Sequence, residues 1–461
     1  MPAIPAKIFK KYDIRGTTSG AAAVVTPQVA HLIGQAMGTY AQRHEHQHVL
    51  VIGRDNRHSS PDLAAAVAEG AAQTGITVVD IGLVSTPLVY WHAVQRGAAG
   101  LMVTGSHLAP DQNGFKLSIG ARNLFGDTLQ LLRELIERGD FAYGSGHVEV
   151  DSASYSHYLR DMSVRVPKQR PLRVVIDTGN GTGGLFAPTL FQAWGHEVVE
   201  CLFAQPDGDY PNHQPDPQEP ANMAALAARV RETGADVGIA FDGDADRMGA
   251  VDENGQIIVA DRILALLAQD MLKRHPGAAV VADVLSSQVL FDAVAAAGGQ
   301  PMMWISGHSL IKAKMTEIGA LLGGEMSGHI FLAEDYYGCD DAYLAAGRLL
   351  ALIAAGDVPL SALNAALPTL FSTPEYRPRC PDDRKAVVID AVKNALTGAG
   401  EIVDVDGVRV LFERGWGLLR ASNTEPVLSL RFEGQTEADA LAYRDRFFAV
   451  LRQFPEVELK A

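Results

Sequence analysis

Cysteine is scarce in this chain: Cys201, Cys339 and Cys380 are widely spaced, odd in number and never paired as Cys-x-x-Cys. That excludes a disulfide framework and a zinc knuckle. Positive charge is also short, with Lys and Arg totalling 39 against 54 Asp and Glu, for a formal net charge of -15. A general nucleic-acid binder needs a basic face to neutralise phosphates, so none is expected as partner. No stretch approaches the ~18 apolar residues that span a bilayer. The start, Met-Pro-Ala-Ile-Pro-Ala-Lys, lacks the apolar run of a signal peptide. The expectation is a soluble cytoplasmic protein, monomeric, with no membrane partner.

What the chain does have is core-forming material. Hydrophobic residues make up 47% and charged residues 20% of 461 positions, which rules out a disordered acidic chain. At about 150 residues per domain, the length suggests roughly three domains. Strand-like runs alternate with Ala-rich helical stretches. Val49 to Gly53 is a strand, Ser60-Pro61 reads as N-cap and N1 of a helix through Ala72, and Ile76 to Ile81 and Gly100 to Val103 are strands. The rhythm repeats from Leu172 to Phe241 and again from Ala279 to Ile318, predicting largely parallel sheets covered by helices. After Pro368 the pattern changes. Gly407 to Phe412, Trp416 to Arg420 and Val427 to Phe432 read as antiparallel strands, closed by a helix over 436–454. This gives three α/β units and a smaller α+β unit, with boundaries at 153, 255 and 367.

Four segments carry chemistry. Asp242-Gly243-Asp244-Ala245-Asp246-Arg247 follows an apolar strand, and Asp at i, i+2 and i+4 on an extended loop can turn three carboxylates to one side. Such hard oxygen donors suit Mg²⁺. The competing reading is an Asp-rich turn bonded to its own backbone; an EF-hand fails because the Gly comes too early and the last ligand Glu is missing. Thr104-Gly105-Ser106-His107, with Asn113-Gly114-Phe115-Lys116 after it, can present a hydroxyl at the carboxyl edge of a sheet. Gly323-Gly324-Glu325-Met326-Ser327-Gly328-His329 offers donors and acceptors for sugar hydroxyls. Arg420-Ala421-Ser422-Asn423-Thr424-Glu425-Pro426 can cradle a phosphate or simply close a hairpin.

In this order and spacing the four segments resemble the α-D-phosphohexomutase family. The resemblance runs through Lys11-Tyr12-Asp13-Ile14-Arg15-Gly16, Gly53-Arg54-Asp55-Asn56-Arg57, Pro211-Asn212-His213 and Gly307-His308-Ser309-Leu310. It implies four domains around a central cleft: 1–153 with the phosphoserine loop, 154–255 with the metal loop, 256–367 with the sugar loop, and an α+β domain over 368–461 with the phosphate loop. The fold class implied is α/β with mixed sheets. Ser106 would be the phosphorylated serine, sharing Mg²⁺ with Asp242, Asp244 and Asp246. Arg247 would position the phosphoryl group, and Lys116 or His329 would serve as general acid/base. Glu325 and Ser327 would contact the sugar, and Arg420, Ser422, Asn423 and Thr424 the non-transferring phosphate. Tyr12, Arg15, His308 and His329 would line the cleft.

The implied reaction moves a phosphoryl group between C1 and C6 of glucose or mannose phosphates, through a hexose 1,6-bisphosphate that also acts as activator. Two positions depart from the pattern: Leu108, where the family commonly has Asn, and Leu285, where it has Lys. A phosphoglucosamine mutase, a phosphatase of the haloacid dehalogenase type, and a sugar-phosphate-binding relative without turnover are the competing readings.

Overall fold

The computed structural model describes residues 4–422 and 425–459. They fold into two compact units, one formed by the described residues up to 263 with 327–363 and the other by 264–326 with those from 364 on.

The first unit is built on two mixed sheets. In one, the strands run in the order Ile14–Thr17, Gln112–Ile119, Ala99–Val103, Val49–Arg54, Thr77–Leu83 and Val148–Val150. The pairs on the Gln112–Ile119 side are antiparallel and those between Ala99–Val103 and Val148–Val150 parallel. Central strands such as Ala99–Val103 are buried along their whole length, which is why they read as continuous apolar runs rather than alternating ones. Leu50, Ile52, Leu101 and Phe115 meet Ile33 and Met37 of helix Pro27–Glu45 and Leu129 and Leu132 of helix Asp127–Arg138 in one core. Full burial of each such side chain contributes roughly 1.5–3 kcal/mol.

The helix over Ser60–Ala72 is capped one residue earlier than its sequence suggests. Ser59 is the N-cap and makes no side-chain cap bond; its hydroxyl accepts Asn113 Nδ2 at 2.9 Å, while the hydroxyl of Ser60 donates to Asp55 Oδ1.

The second sheet has the order Ile257–Ile258, Met248–Asp252, Val237–Phe241, Arg173–Asp177, Glu197–Leu202. Its last strand lies beyond residue 255, where the sequence places a boundary. A short hairpin, Ile330–Leu332 with Cys339–Asp340, also belongs to this unit.

In the second unit, Gln300–Trp304, Ala279–Asp283 and Leu322–Gly324 pair in parallel. Phe371–Ser372, Leu428–Gly434, Gly415–Ala421, Val408–Phe412 and Glu401–Val403 form an all-antiparallel sheet. Its closing helix, Glu437–Leu451, starts on a capping box in which Thr436 and Asp439 satisfy each other's backbone N–H. Among the described residues no helix is long and apolar enough to cross a membrane.

Candidate active site

Thr104 to His107 leave the carboxyl end of strand Ala99–Val103. Ser106 is 1% exposed and adopts a left-handed backbone, φ 49°. Non-glycine residues avoid that region, so something must hold it there. The Ser106 N–H donates to Thr104 Oγ1 (2.8 Å), and its carbonyl accepts from Arg57 Nη2 (2.7 Å). The hydroxyl donates to Asp242 Oδ2 at 2.7 Å and lies 3.1 Å from His107 Nδ1. Burial, then the cations Arg247 and Arg15, push the His107 pKa well below the usual histidine value.

The aspartate loop leaves strand Val237–Phe241. The i, i+2, i+4 spacing does gather the carboxylates of Asp242, Asp244 and Asp246, with ligand atoms within 4.8 Å of one another and all three side chains buried. Gly243 is required because a Cβ there would overlap the Ser106 carbonyl oxygen. Each carboxylate is fixed differently. Asp242 Oδ1 accepts the N–H groups of Asp246 (3.1 Å) and Arg247 (3.2 Å). Asp244 Oδ2 accepts Thr86 Oγ1 (2.6 Å), Thr104 Oγ1 (3.1 Å) and Lys116 Nζ (2.6 Å). Asp246 pairs with Lys116.

Burial and the neighbouring charges of Asp244 and Asp246 push the Asp242 carboxyl well above the usual range. Burial would raise Asp244 too, but the Lys116 ammonium and the Thr86 hydroxyl hold it below. Asp244 Oδ1 and Asp246 Oδ1 are buried without a hydrogen-bond partner among the described residues. Desolvated oxygens of this kind are expensive unless a cation answers them. Three carboxylates beside a hydroxyl are also the donor chemistry of a hard divalent ion. The residues fit a metal.

Cations surround this cluster. Lys116 comes from strand Gln112–Ile119. Although burial would lower it, Asp244 and Asp246 hold it above the usual lysine value, as an ammonium. As an ammonium it can donate hydrogen bonds but cannot accept a proton. Arg15, on strand Ile14–Thr17, pairs with Asp13 and donates to the Gly105 carbonyl at 3.2 Å. Arg247 Nε donates to His329 Nε2 at 3.0 Å. That bond assigns the ring proton of neutral His329 to Nδ1, which faces Asp340 Oδ2 at 3.2 Å. Tyr12 and Ser327 are half-buried in the same unit.

The remaining predicted residues lie in the second unit. Glu325, at the end of strand Leu322–Gly324, accepts the Gly307 N–H at 2.6 Å. Asp283, at the end of the adjacent strand, accepts Ser286 N–H (3.1 Å) and Oγ (2.6 Å) and Met326 N–H (3.4 Å). The Ser306 hydroxyl reaches both acids, Asp283 at 3.3 Å and Glu325 at 3.5 Å. Burial, then the charge of Glu325, pushes the Asp283 carboxyl up to about 7.

His308 opens helix His308–Ile318. Arg420 Nε donates to Asp406 Oδ2 at 2.8 Å, and the same carboxylate oxygen accepts the Ser306 N–H. Ser422 Oγ accepts the Glu425 N–H (3.3 Å). The buried Lys385 ammonium ties the carbonyls of Ser422 and Glu425, at 2.9 and 2.6 Å. Asn423 and Thr424 lie outside the described residues.

The two departures have structural accounts. The Leu108 carbonyl is held by Arg57 Nη2 at 2.7 Å, whatever the side chain. Leu285 packs against Val284, Trp416 and Leu418, and its carbonyl accepts Arg431 Nη1 at 2.7 Å. The sequence reading gave no role to Arg57, Thr86, Asp283, Asp340 or Lys385. Arg57 and Asp283 lie in segments it quoted, whereas nothing local marks Thr86.

Comparison with known proteins fits this arrangement. The chain matches the phosphoglucomutase/phosphomannomutase alpha/beta/alpha domains I, II and III over residues 6–142, 153–255 and 260–371, and the C-terminal domain over 375–450. It is 43% identical over 441 residues to a phosphomannomutase/phosphoglucomutase of Pseudomonas aeruginosa, covering 95% of this chain and 94% of that one. It is 42% identical to a phosphoglucomutase of Neisseria gonorrhoeae, over 99% of both chains. The crystal structure of a phosphoglucomutase/phosphomannomutase family protein from Burkholderia thailandensis superposes with a TM-score of 0.92, at 40% identity and 99% coverage of both chains. All four segments in order, with identity above 40% along nearly the whole length, mean that the chain belongs to the phosphoglucomutase/phosphomannomutase family.

Proposed function

We infer that the chain is an isomerase that moves a phosphoryl group between C1 and C6 of glucose and mannose phosphates, working as a single chain on small hexose phosphates. The observation that carries this is the Ser106 hydroxyl seated on Asp242, in a triad of carboxylates ringed by Lys116, Arg15 and Arg247. Phosphoryl transfer is mainly positioning plus charge neutralisation, and this site is built for both.

Ser106 carries the phosphoryl group. In the forward half-reaction its Oγ–P bond breaks as a P–O6 bond forms on hexose 1-phosphate. His329 takes the O6 proton at Nε2 once Arg247 turns to the incoming phosphate. Lys116 donates toward the departing serine oxygen. The 1,6-bisphosphate then turns over, and the O1–P bond breaks to return a phosphoryl group to Ser106. Asp242, Asp244 and Asp246, with the phosphoserine, would hold Mg²⁺, which when bound neutralises the charge of the transferring group.

Glu325 and Ser327 are assigned to sugar hydroxyls, and Arg420 with Ser422, Asn423 and Thr424 to the phosphate that does not react. Tyr12, Arg15 and His308 are assigned to the rest of the substrate. The division near 153, 255 and 367 is supported by the family segments, although the second sheet runs on to Ile258. Three free thiols fit a reducing, cytoplasmic setting, and the net charge of -15 gives no footing for nucleic acid.

The alternatives are not favoured. Relatives named for mannose and glucose reach 43% identity, against 33% for a probable phosphoglucosamine mutase. A haloacid dehalogenase-type phosphatase would not match four mutase domains, and the anchoring of the 108 and 285 carbonyls speaks against a dead relative.

The test is a coupled assay with glucose 1-phosphate and trace glucose 1,6-bisphosphate. Turnover is expected, with one phosphate on Ser106 by intact mass, and Ser106→Ala and chelator should each abolish it. An active Ala variant sinks the carrier role; net phosphate release without isomerisation would favour a phosphatase.

A further inference from the structure

We propose that Arg57 is the positioning residue of the serine loop, holding Ser106 in its left-handed conformation from beneath. Its side chain is 1% exposed. Nη1 donates to the carbonyls of Ala109 (2.6 Å) and Gln112 (3.0 Å), and Nη2 to those of Ser106 (2.7 Å) and Leu108 (2.7 Å). One planar fork thus fixes three carbonyls of the segment between two strands and a fourth at the start of the second strand.

The guanidinium is itself held. Nε faces Asp55 Oδ2 at 3.2 Å, and that oxygen also accepts the Gly105 N–H at 3.0 Å. The Tyr210 ring lies 5.1 Å from the guanidinium carbon. A Cβ at position 105 would overlap the guanidinium, so only glycine lets the loop lie on its face.

The geometry explains a need. A serine at φ 49° is held against its own preference, and Asp242 fixes only its hydroxyl. Without Arg57 the four carbonyls would be left without their charge-assisted donor, and the loop could relax, carrying Oγ away from Asp242. It also explains a tolerance. Because the clamp reads backbone, Leu108 can stand where the family commonly has Asn without loosening the loop. The proposal rests on Ser106 as the phosphoryl carrier.

The experiment compares Arg57→Ala, Arg57→Lys and Asp55→Asn with wild type for kcat, KM of glucose 1-phosphate, and folding by circular dichroism. A misplacement near 1 Å lowers rate about 100-fold, so Arg57→Ala should lose about that in kcat while KM changes by less than about threefold. Millimolar guanidinium should restore at least about tenfold of the loss, because it can refill the fork. Lys, with one point charge, cannot replace four directed bonds, so Arg57→Lys should stay impaired.

A folded Ala variant with kcat within about threefold of wild type would overturn the proposal. So would a loss of kcat in a folded Ala variant that guanidinium does not mend. Should the Ala variant not fold, Asp55→Asn decides: a kcat lower by about tenfold supports the clamp and an unchanged one refutes it. Failure of the carrier reading looks different, since it appears with Arg57 intact, as an unphosphorylated Ser106 in active wild type.

Discussion

In the first unit, three carboxylates are met by Lys116, Arg15 and Arg247: Lys116 is held above its usual value and Asp244 below, while burial and the charges of Asp244 and Asp246 raise Asp242. In the second unit the acids outnumber the cations around them. Asp283 and Glu325 are buried side by side, Asp406 occupies Arg420, and Asp283 is pushed up to about 7. One region has an ammonium already paired with two of its carboxylates, preorganised charge of the kind that stabilises a transition state. The other keeps the cation that the proposed function assigns to a phosphate on Asp406, beside an acid raised toward neutrality. On the proposed function, rate belongs to the first and affinity to the second, and that contrast can be broken.

The largest expected effect is Arg420→Ala. A hydrogen bond to a charged group contributes about 1.5–3 kcal/mol, so KM for glucose 1-phosphate should rise roughly 10- to 100-fold. Phosphate on Ser106, read by intact mass, should stay at the wild-type level. A variant with unchanged KM and a fallen kcat would erase the division of labour between the units.

A smaller effect concerns Asp283. Its folded value near 7 lies above an ordinary carboxylate's, so over the interval between the two the folded state binds more protons. Its contribution to stability is therefore fully present in acid and is lost as pH rises through about 7. Asp283→Asn mimics the protonated form, with an amide that can donate toward Glu325. The melting temperature of wild type minus that of the variant should fall steadily between about pH 5 and pH 8. Parallel curves would show that the acid pair does not titrate there.

How much of this was readable beforehand follows from where the contacts lie. The aspartate triad is a local object, a strand followed by carboxylates at alternate positions, so spacing alone disclosed it. The same holds for the strands, whose apolar runs report burial on both faces. Arg57 was visible as a letter in Gly53-Arg54-Asp55-Asn56-Arg57, but its four carbonyl partners lie about 50 residues on. Asp283 and Glu325 are 42 positions apart, and their shared Ser306 sits between them. Thr86 meets Asp244 across 158 residues. Hydrogen bonds that close over such distances have no period in the sequence. The hydroxyls at the helix start are engaged in a like way, by Asn113 more than 50 residues on.

The smallest effect tests whether left-handed backbone in the first unit is strain or fit. Ala245, in the metal loop, sits at φ 55° and is fully buried. Glycine would relieve about 1–2 kcal/mol of left-handed strain. Against that stand about 0.8 kcal/mol for one buried CH₂-sized group and 0.5–1 for the added chain entropy. The terms nearly cancel, so Ala245→Gly should lie within about 0.5 kcal/mol of wild type in urea unfolding. Ala227, buried in helix Ala224–Thr233, is the control, where the same change has no strain to relieve and should destabilise by about 1 kcal/mol or more. If both substitutions destabilise equally, the metal loop carries no backbone strain. Its left-handed turn would then be as relaxed as a helix, and the preorganised character of the first unit would rest on side-chain charge pairs alone.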